Sequence, residues 1–209
     1  MRYVNRIPVA LCLSTLLLVA GCDDNDEKPL VALEATEAKD INAVSSKNFT
    51  LFSLATNGIV SNADSASAKW DIGFRGTTII VNGGVSGPGG AEGQIVDGIF
   101  DELAEAPVSG YTTDSQSVKA IPGSGWYTYT GEATPPAPQH AILPIAGKIL
   151  VFKTADGKFA KVEVVSYYQG NPDTTTASFA DLATRPASRY YTFRFINQPD
   201  GTTNLTVTK

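Results

Sequence analysis

The sequence predicts an all-β fold: mostly antiparallel sheets with at most a few short helices. Three observations carry this expectation. Val, Ile, Thr, Tyr and Phe are abundant and are punctuated by 19 glycines and 12 prolines, a composition that suits short strands and tight turns. Apolar residues alternate with period two in several short runs, and no long segment shows a helical period. Two strand-like pairs flank Asp-Gly dipeptides, which favour hairpin turns because both residues tolerate positive φ.

The chain begins with a leader. Arg2 and Arg6 form a basic start, and the apolar run from Ile7 to Ala20 is too short for a permanent membrane span. It ends in Leu18-Val19-Ala20-Gly21-Cys22, which matches the lipobox of bacterial lipoproteins: an apolar residue, two small residues, then the cysteine that takes the diacylglycerol. Each buried CH₂ of such an anchor contributes about 0.8 kcal/mol of membrane affinity. Of the two cysteines, Cys12 leaves with the leader and Cys22 is acylated. The mature chain therefore has no disulfide and no thiolate metal site. Loss of Arg2 and Arg6 takes the formal net charge from −5 to −7, which excludes nucleic acid as a partner.

Residues 1–21 thus read as a lipoprotein signal peptide and residues 22–40 as the lipidated cysteine with a flexible acidic tether. Residues 41–209 read as one β domain. Residues 23–29 are charged and apolar-free, as a solvated tether should be. The lipid anchor places the protein in the cell envelope, with the outer membrane or cell surface favoured. Asp23, directly after the lipidated cysteine, is the feature that would instead retain it at the inner membrane.

Phe49 to Ala55 reads as the first strand. Trp70 to Arg75 follows, with Trp70, Ile72 and Phe74 expected on one face and Asp71, Gly73 and Arg75 on the other. Thr77 to Asn82 is a β-branched strand, and Gly83 to Gly90 is a glycine-rich loop needing positive φ at several places. Phe100 to Ala106, between Asp97 and Pro107, could form a short helix. Trp126 to Thr130 is an aromatic strand leading into residues 131–138, a loop with three prolines. Lys148–Thr154 and Lys158–Tyr168 make a hairpin around Asp156-Gly157. Tyr190–Asn197 and Thr202–Thr208 form a second pair around Pro199-Asp200-Gly201, with Tyr191, Phe193 and Phe195 on one face.

Enzyme chemistry finds little to work with. His140 is the only histidine, and no serine sits in a Gly-x-Ser-x-Gly elbow. No EF-hand pattern is present. The loop after the strand at 77–82 fails the dinucleotide fingerprint, because Glu92 stands where the third glycine belongs after Gly87 and Gly89. The aromatics are more informative. Trp126, Tyr127 and Tyr129 precede the proline loop that leads to His140. Alternation sets Trp126 and Thr128 against Tyr127 and Tyr129, one set feeding the core and the other free to line a groove.

Together these segments carry a resemblance. Trp70-Asp-Ile-Gly-Phe-Arg75, Ile79-Ile-Val-Asn-Gly-Gly84 and Ser86-Gly87 are similar to the central motif of the HmuY family. Phe100-Asp-Glu102 through Pro107 and Thr113-Asp-Ser115 continue it, as do Gly125-Trp-Tyr-Thr-Tyr129, Lys148 to Lys158 and Tyr190-Tyr-Thr-Phe-Arg-Phe195. The similarity runs in order over about residues 48–201. It implies a β-rich lipoprotein that captures haem beside a TonB-dependent outer-membrane receptor, and not an enzyme. Family members hold iron with paired histidines or methionine-containing pairs. Here Met1 lies in the leader and His140 stands alone. The resemblance therefore makes His140 the candidate haem ligand, with a tyrosine, water or a second protomer opposite, and metal bound only through haem iron. Trp126, Tyr127 and Tyr129 become candidate pocket aromatics. The competing expectation is a non-haem ligand-binding or protein-interaction module that kept the scaffold and lost the paired ligands.

Overall fold

A computed structural model of the chain describes residues 33–133 and 136–208, together with Met1. The signal peptide, Cys22 and the acidic stretch after it lie outside the described residues. The strands, in chain order, are β1 (Thr36–Asn42), β2 (Thr50–Ser53), β3 (Gly58–Val60), β4 (Ile72–Arg75), β5 (Thr78–Val81), β6 (Glu92–Asp97), β7 (Tyr127–Tyr129), β8 (Ile142–Pro144), β9 (Lys148–Lys153), β10 (Phe159–Tyr168) and β11 (Ser188–Gln198). One helical turn, α1 (Ala177–Ala180), lies between the last two strands. The strands form a five-stranded sheet, β1-β11-β10-β9-β6, a four-stranded sheet, β3-β2-β4-β5, and the two-stranded β7-β8. Every strand pair is antiparallel. The all-β expectation is met.

Alternation sorts the five-stranded sheet into two faces. Leu150 and Phe152 of β9, and Tyr191, Phe193 and Phe195 of β11, join Phe52, Ile72 and Phe74 of the four-stranded sheet in the main core. Phe193 meets Phe52 edge-on at 5.2 Å and stacks on Phe74 at 5.4 Å. Ile149, Val151 and Ile196 point the other way, under Phe100, Ala106 and Leu205. The five-stranded sheet is thus covered on both faces.

The structure departs from the sequence reading at five places. First, β1 begins at Thr36, inside the span read as tether, and pairs with β11 from Thr36↔Phe195 to Asn42↔Tyr190. Its inward residues are Ala38 and Ile41. A bulge at Lys39–Asp40, with Asp40 at φ 52°, breaks the period-two pattern between them. Second, Trp70 does not share a face with Ile72 and Phe74. It precedes β4 and packs with Leu51 and Ile80, against Gly87, where a Cβ would lie only 2.6 Å from the indole. Asp71, expected outward, is buried; its carboxylate accepts the N–H groups of Leu54 at 2.8 Å and Ala155 at 3.0 Å, tying the two sheets together. Third, the Gly83–Gly90 loop is folded in close, and only Gly84 there has positive φ. A Cβ on Gly83 would stand 2.0 Å from the Ala91 carbonyl. Fourth, Phe100 to Ala106 makes a single turn, closed by Glu102 and Leu103 N–H groups on the Ile99 carbonyl, and then bridges to Asn204 through Glu105. Fifth, Thr202–Thr208 does not pair with β11. It folds back onto this segment through Ala106 N–H to Thr203 and Leu205 N–H to Ala104.

A lysine explains the fourth departure. Lys161 of β10 is fully buried on the second face, and its ammonium donates to the carbonyls of Phe100 at 2.5 Å and Leu103 at 2.8 Å. Those carbonyls turn toward the charge instead of continuing a helix. Burial pulls the Lys161 pKa down to about 8, against the pull of Asp101. The unfolded chain therefore holds a proton that the folded chain has lost between about pH 8 and the ordinary lysine value. Stability should rise with pH from 8 to about 10, with a slope approaching ~1.4 kcal/mol per pH unit. Above that, Tyr111 and Tyr167, pushed up by burial to about 12, act in the opposite direction. Urea denaturation across this window should show the rise in the native chain and lose it in Lys161→Met. A native profile already flat from pH 8 to 10 would contradict this account.

Candidate functional site

The β7–β8 hairpin carries the residues that the sequence singled out. Its ladder pairs Tyr127↔Pro144, Thr128↔Leu143 and Tyr129↔Ile142. At its base Trp126 is 1% exposed. The indole ring lies 4.7 Å from Tyr127, 5.4 Å from Tyr191 and 6.0 Å from Tyr167. This packing anchors the hairpin to the inner face of β11 and β10. Trp126 is therefore a core residue. Tyr127 is half-buried against it, and only Tyr129, 56% exposed, reaches the surface.

Beyond Tyr129 the hairpin narrows into a braced neck. Thr130 N–H donates to the Ala141 carbonyl at 2.9 Å, and His140 N–H to that of Gly131 at 2.7 Å. The Thr130 hydroxyl accepts from Ala141 N–H at 2.8 Å and donates to the Pro138 carbonyl at 2.6 Å. These bonds hold His140 at φ 49°, a left-handed conformation that costs a non-glycine residue free energy and is stable only when its surroundings fix it. His140 lies diagonally across the ladder from Tyr129, within reach of a long side chain. The Tyr129 hydroxyl and His140 Nδ1 are 2.5 Å apart, and the two rings are offset-stacked at 29°. Nε2 of His140 makes no hydrogen bond among the described residues.

Beside this neck opens a cleft of about 650 Å³, lined by Pro136, Gln139, Ala177, Ala180, Asp181 and Leu182. That volume is ample for a small-molecule ligand. Pro136 and Gln139 stand on one side, and α1 with the following Asp181 and Leu182 on the other. Thr176 caps the helix through Phe179 N–H at 3.2 Å. Arg185 holds its far end, donating to the carbonyls of Phe179 at 2.7 Å and Ala180 at 3.2 Å. Tyr168 ties α1 to the start of β8. Its hydroxyl accepts Ile142 N–H at 3.0 Å, and its ring takes Phe179 edge-on at 4.8 Å.

Of the residues proposed from sequence, Tyr129 and His140 come together, Trp126 and Tyr127 recede into the base, and Cys22 is outside the described residues. The α1 wall escaped the sequence reading. Its one signal is Thr176 ahead of Ala-Ser-Phe-Ala, since a four-residue helix is too short to show a period. No cluster of three or more potential metal-ligating side chains occurs among the described residues. The cleft itself offers apolar Pro136, Ala177, Ala180 and Leu182 with the polar side chains of Gln139 and Asp181, and the Tyr129–His140 pair lies outside that lining, with His140 next in the chain to Gln139.

Comparison with known proteins places the chain. The family model described as HmuY protein matches residues 45–180. Among solved structures, the apo HmuY analogue of Tannerella forsythia is 14% identical, with a TM-score of 0.50, covering 80% of this chain and 96% of its own. A protein named as HmuY-like and heme-binding, from Bacteroides vulgatus, is 12% identical with a TM-score of 0.48 over 78% of this chain and 91% of its own. Apo PinO from Porphyromonas gingivitis is 14% identical, with a TM-score of 0.48 over 80% and 98%. No curated protein sequence matches the chain.

The neck should be the element that keeps His140 in place. Thr130→Val removes both hydroxyl bonds at almost unchanged volume and leaves the buried Ala141 N–H without its side-chain acceptor. It should cost about 1–3 kcal/mol and speed amide hydrogen exchange at His140 and Ala141. Native-like protection at both amides in the variant would show that the loop is held by something else.

Proposed function

The chain belongs to the HmuY family, and from that premise we propose that it captures haem on a lipid-anchored domain of the cell envelope. The observation that carries this reading is the cleft of about 650 Å³ between Pro136 and α1, lined largely by apolar side chains, with His140 next in the chain to Gln139 of its lining. Haem needs an apolar surface for the porphyrin and at least one donor for iron. The cleft supplies Pro136, Ala177, Ala180 and Leu182 for the first, beside the polar Gln139 and Asp181, and His140, next in the chain to Gln139, is the donor proposed for the second. The mature chain lacks the second histidine and the methionine that a symmetric ligand pair would use. The site therefore binds iron from one side, and the opposite side is left for water, a second protomer or the receptor that takes the haem onward.

The anchor follows from Leu18-Val19-Ala20-Gly21-Cys22. Acyl chains on Cys22, followed by the charged stretch from Asp23 to Lys28, would hold the domain near a membrane within reach of a TonB-dependent receptor. Among the described residues no helix is long and apolar enough to cross a membrane. The role that membership of this family supports is carriage of a ligand.

Titration of residues 23–209 with haemin, followed in the visible spectrum, tests the reading. Saturation at one haem per chain, or per pair of chains, with a shifted Soret band is the expected result. Leu182, 55% exposed on the cleft wall, can be changed without touching the core. Leu182→Asp should weaken binding by about tenfold or more through an unpaired charge against the porphyrin. A featureless, non-saturating titration would leave the scaffold to a non-haem ligand or a protein partner.

A further inference from the structure

We propose that β1 is a self-complementary edge through which two copies of this chain pair, with β1 of one antiparallel to β1 of the other about a two-fold axis at Ala38. This stands apart from the haem reading and does not depend on it.

The outer edge of β1 is open. β1 ends the order β1-β11-β10-β9-β6, and among the described residues no strand lies beyond it. In an antiparallel ladder each residue turns both its N–H and its C=O to one side, and the side alternates along the strand. Gly93 of β6 exchanges both bonds with Thr112, outside the sheet. Carried across the registers of β6, β9, β10 and β11, the alternation gives Thr36 and Ala38 to β11 and leaves Glu37 and Lys39 facing outward. The bond from Thr154 N–H to the Lys158 carbonyl has the same phase. Beyond Lys39 the bulge closes the edge, since Asp40 N–H turns back to the Thr192 hydroxyl at 3.3 Å.

The charges on this edge suit a second copy. Charged side chains on an edge strand ordinarily keep other strands away, and a run of one sign would repel its own copy. In a register centred on Ala38, however, Glu37 stands opposite Lys39 of the second copy, and Lys39 opposite its Glu37. These are the two open rungs, so hydrogen-bonding phase and charge select the same register. Within one chain the Glu37 carboxylate and Lys39 ammonium already lie on one exposed face, 2.9 Å apart. Pairing joins two such couples into a group of four charges of alternating sign.

Beside this edge lies apolar surface that a second copy would cover. Ile59 of β3 is paired with Phe52 and shares its core-facing side, yet it is 62% exposed. With Ala38, Ile41 and Phe52 it borders a groove of about 350 Å³ between β1 and β3. A copy seated on β1 covers the mouth of this groove and takes Ile59 out of water.

Sedimentation of residues 23–209 over a concentration series, without haem, tests the pairing. Four forms are compared: native, Glu37→Lys, Lys39→Glu, and the double reversal Glu37→Lys/Lys39→Glu. All changes are at exposed positions, and circular dichroism checks folding. The native chain should dimerise as concentration rises, and amide exchange at Glu37 and Lys39 should slow in step. Each single reversal sets like charges opposite one another at both rungs and should weaken the dimer by about tenfold or more. The double reversal should recover the native affinity to within about threefold. An equimolar mixture of the two single variants should also pair as the native chain does, because each supplies the sign that the other lacks. A native chain that stays monomeric up to about 1 mM would overturn the inference. A dimer that the single reversals leave unchanged would overturn it too, placing the contact elsewhere, as would single variants that stay monomeric when mixed.

Discussion

The contact on which the rest of the structure depends is the aromatic column between the two sheets. Phe193 touches Phe52 and Phe74 across the interface, and Phe74 lies 4.6 Å from Tyr191. Tyr191 in turn meets Tyr167 at 5.2 Å and Trp126 at 5.4 Å. Each ring buries a large apolar area, and the tilted and edge-on geometries add a further ~0.5–1.5 kcal/mol per pair. Because these residues alternate along β11, the register of that strand sets which rings face inward. A one-residue slip would turn all of them toward the second face, where Phe100, Leu205 and the buried Lys161 already fill the space.

The column also carries the site. Trp126 belongs to it and directly precedes the hairpin that presents Tyr129. The cost of burying its indole N–H, which has no partner in the structure described, is offset by ring packing on three sides. Tyr168 does the second half of the work, since it holds the start of β8 through its hydroxyl and α1 through its ring. Tyr168 therefore fixes α1, one wall of the cleft, and the strand that follows Gln139 and His140. That arrangement lets the rim be irregular, proline-rich and strained at His140 while its supports stay rigid. The division suits a binding site: conformational cost is confined to a few loop residues, and the sandwich supplies the stability.

Much of the sandwich could be read from the sequence, because alternation is a local signal. Tyr191, Phe193 and Phe195 were placed on one face and are there. The hairpin around Asp156-Gly157 forms as expected, although only Gly157 takes positive φ. Where the pattern failed, a non-local contact had replaced a local rule. Ala38 and Ile41 are out of phase because of a bulge, so a charged edge strand looked like tether. Phe100 to Ala106 has helix-like flanks, yet its carbonyls turn to an ammonium 58 residues or more further along the chain. Trp70 sits just outside its strand and covers the other face. At the site, proximity of Tyr129 to His140 was hinted by their place on either side of one loop, whereas the wall made by α1 had no periodic signature. Whether Trp126 faced core or ligand could not be decided by alternation, because the residue belongs to the turn before the strand.

The central claim is that this scaffold captures haem in the cleft beside α1. Equilibrium dialysis of residues 23–209 against haemin, native beside Leu182→Asp, measures that directly. Saturation at one haem per chain or per pair of chains, with about tenfold or more weaker uptake in the variant, is the predicted result. Equal and non-saturating uptake by both forms would contradict the account.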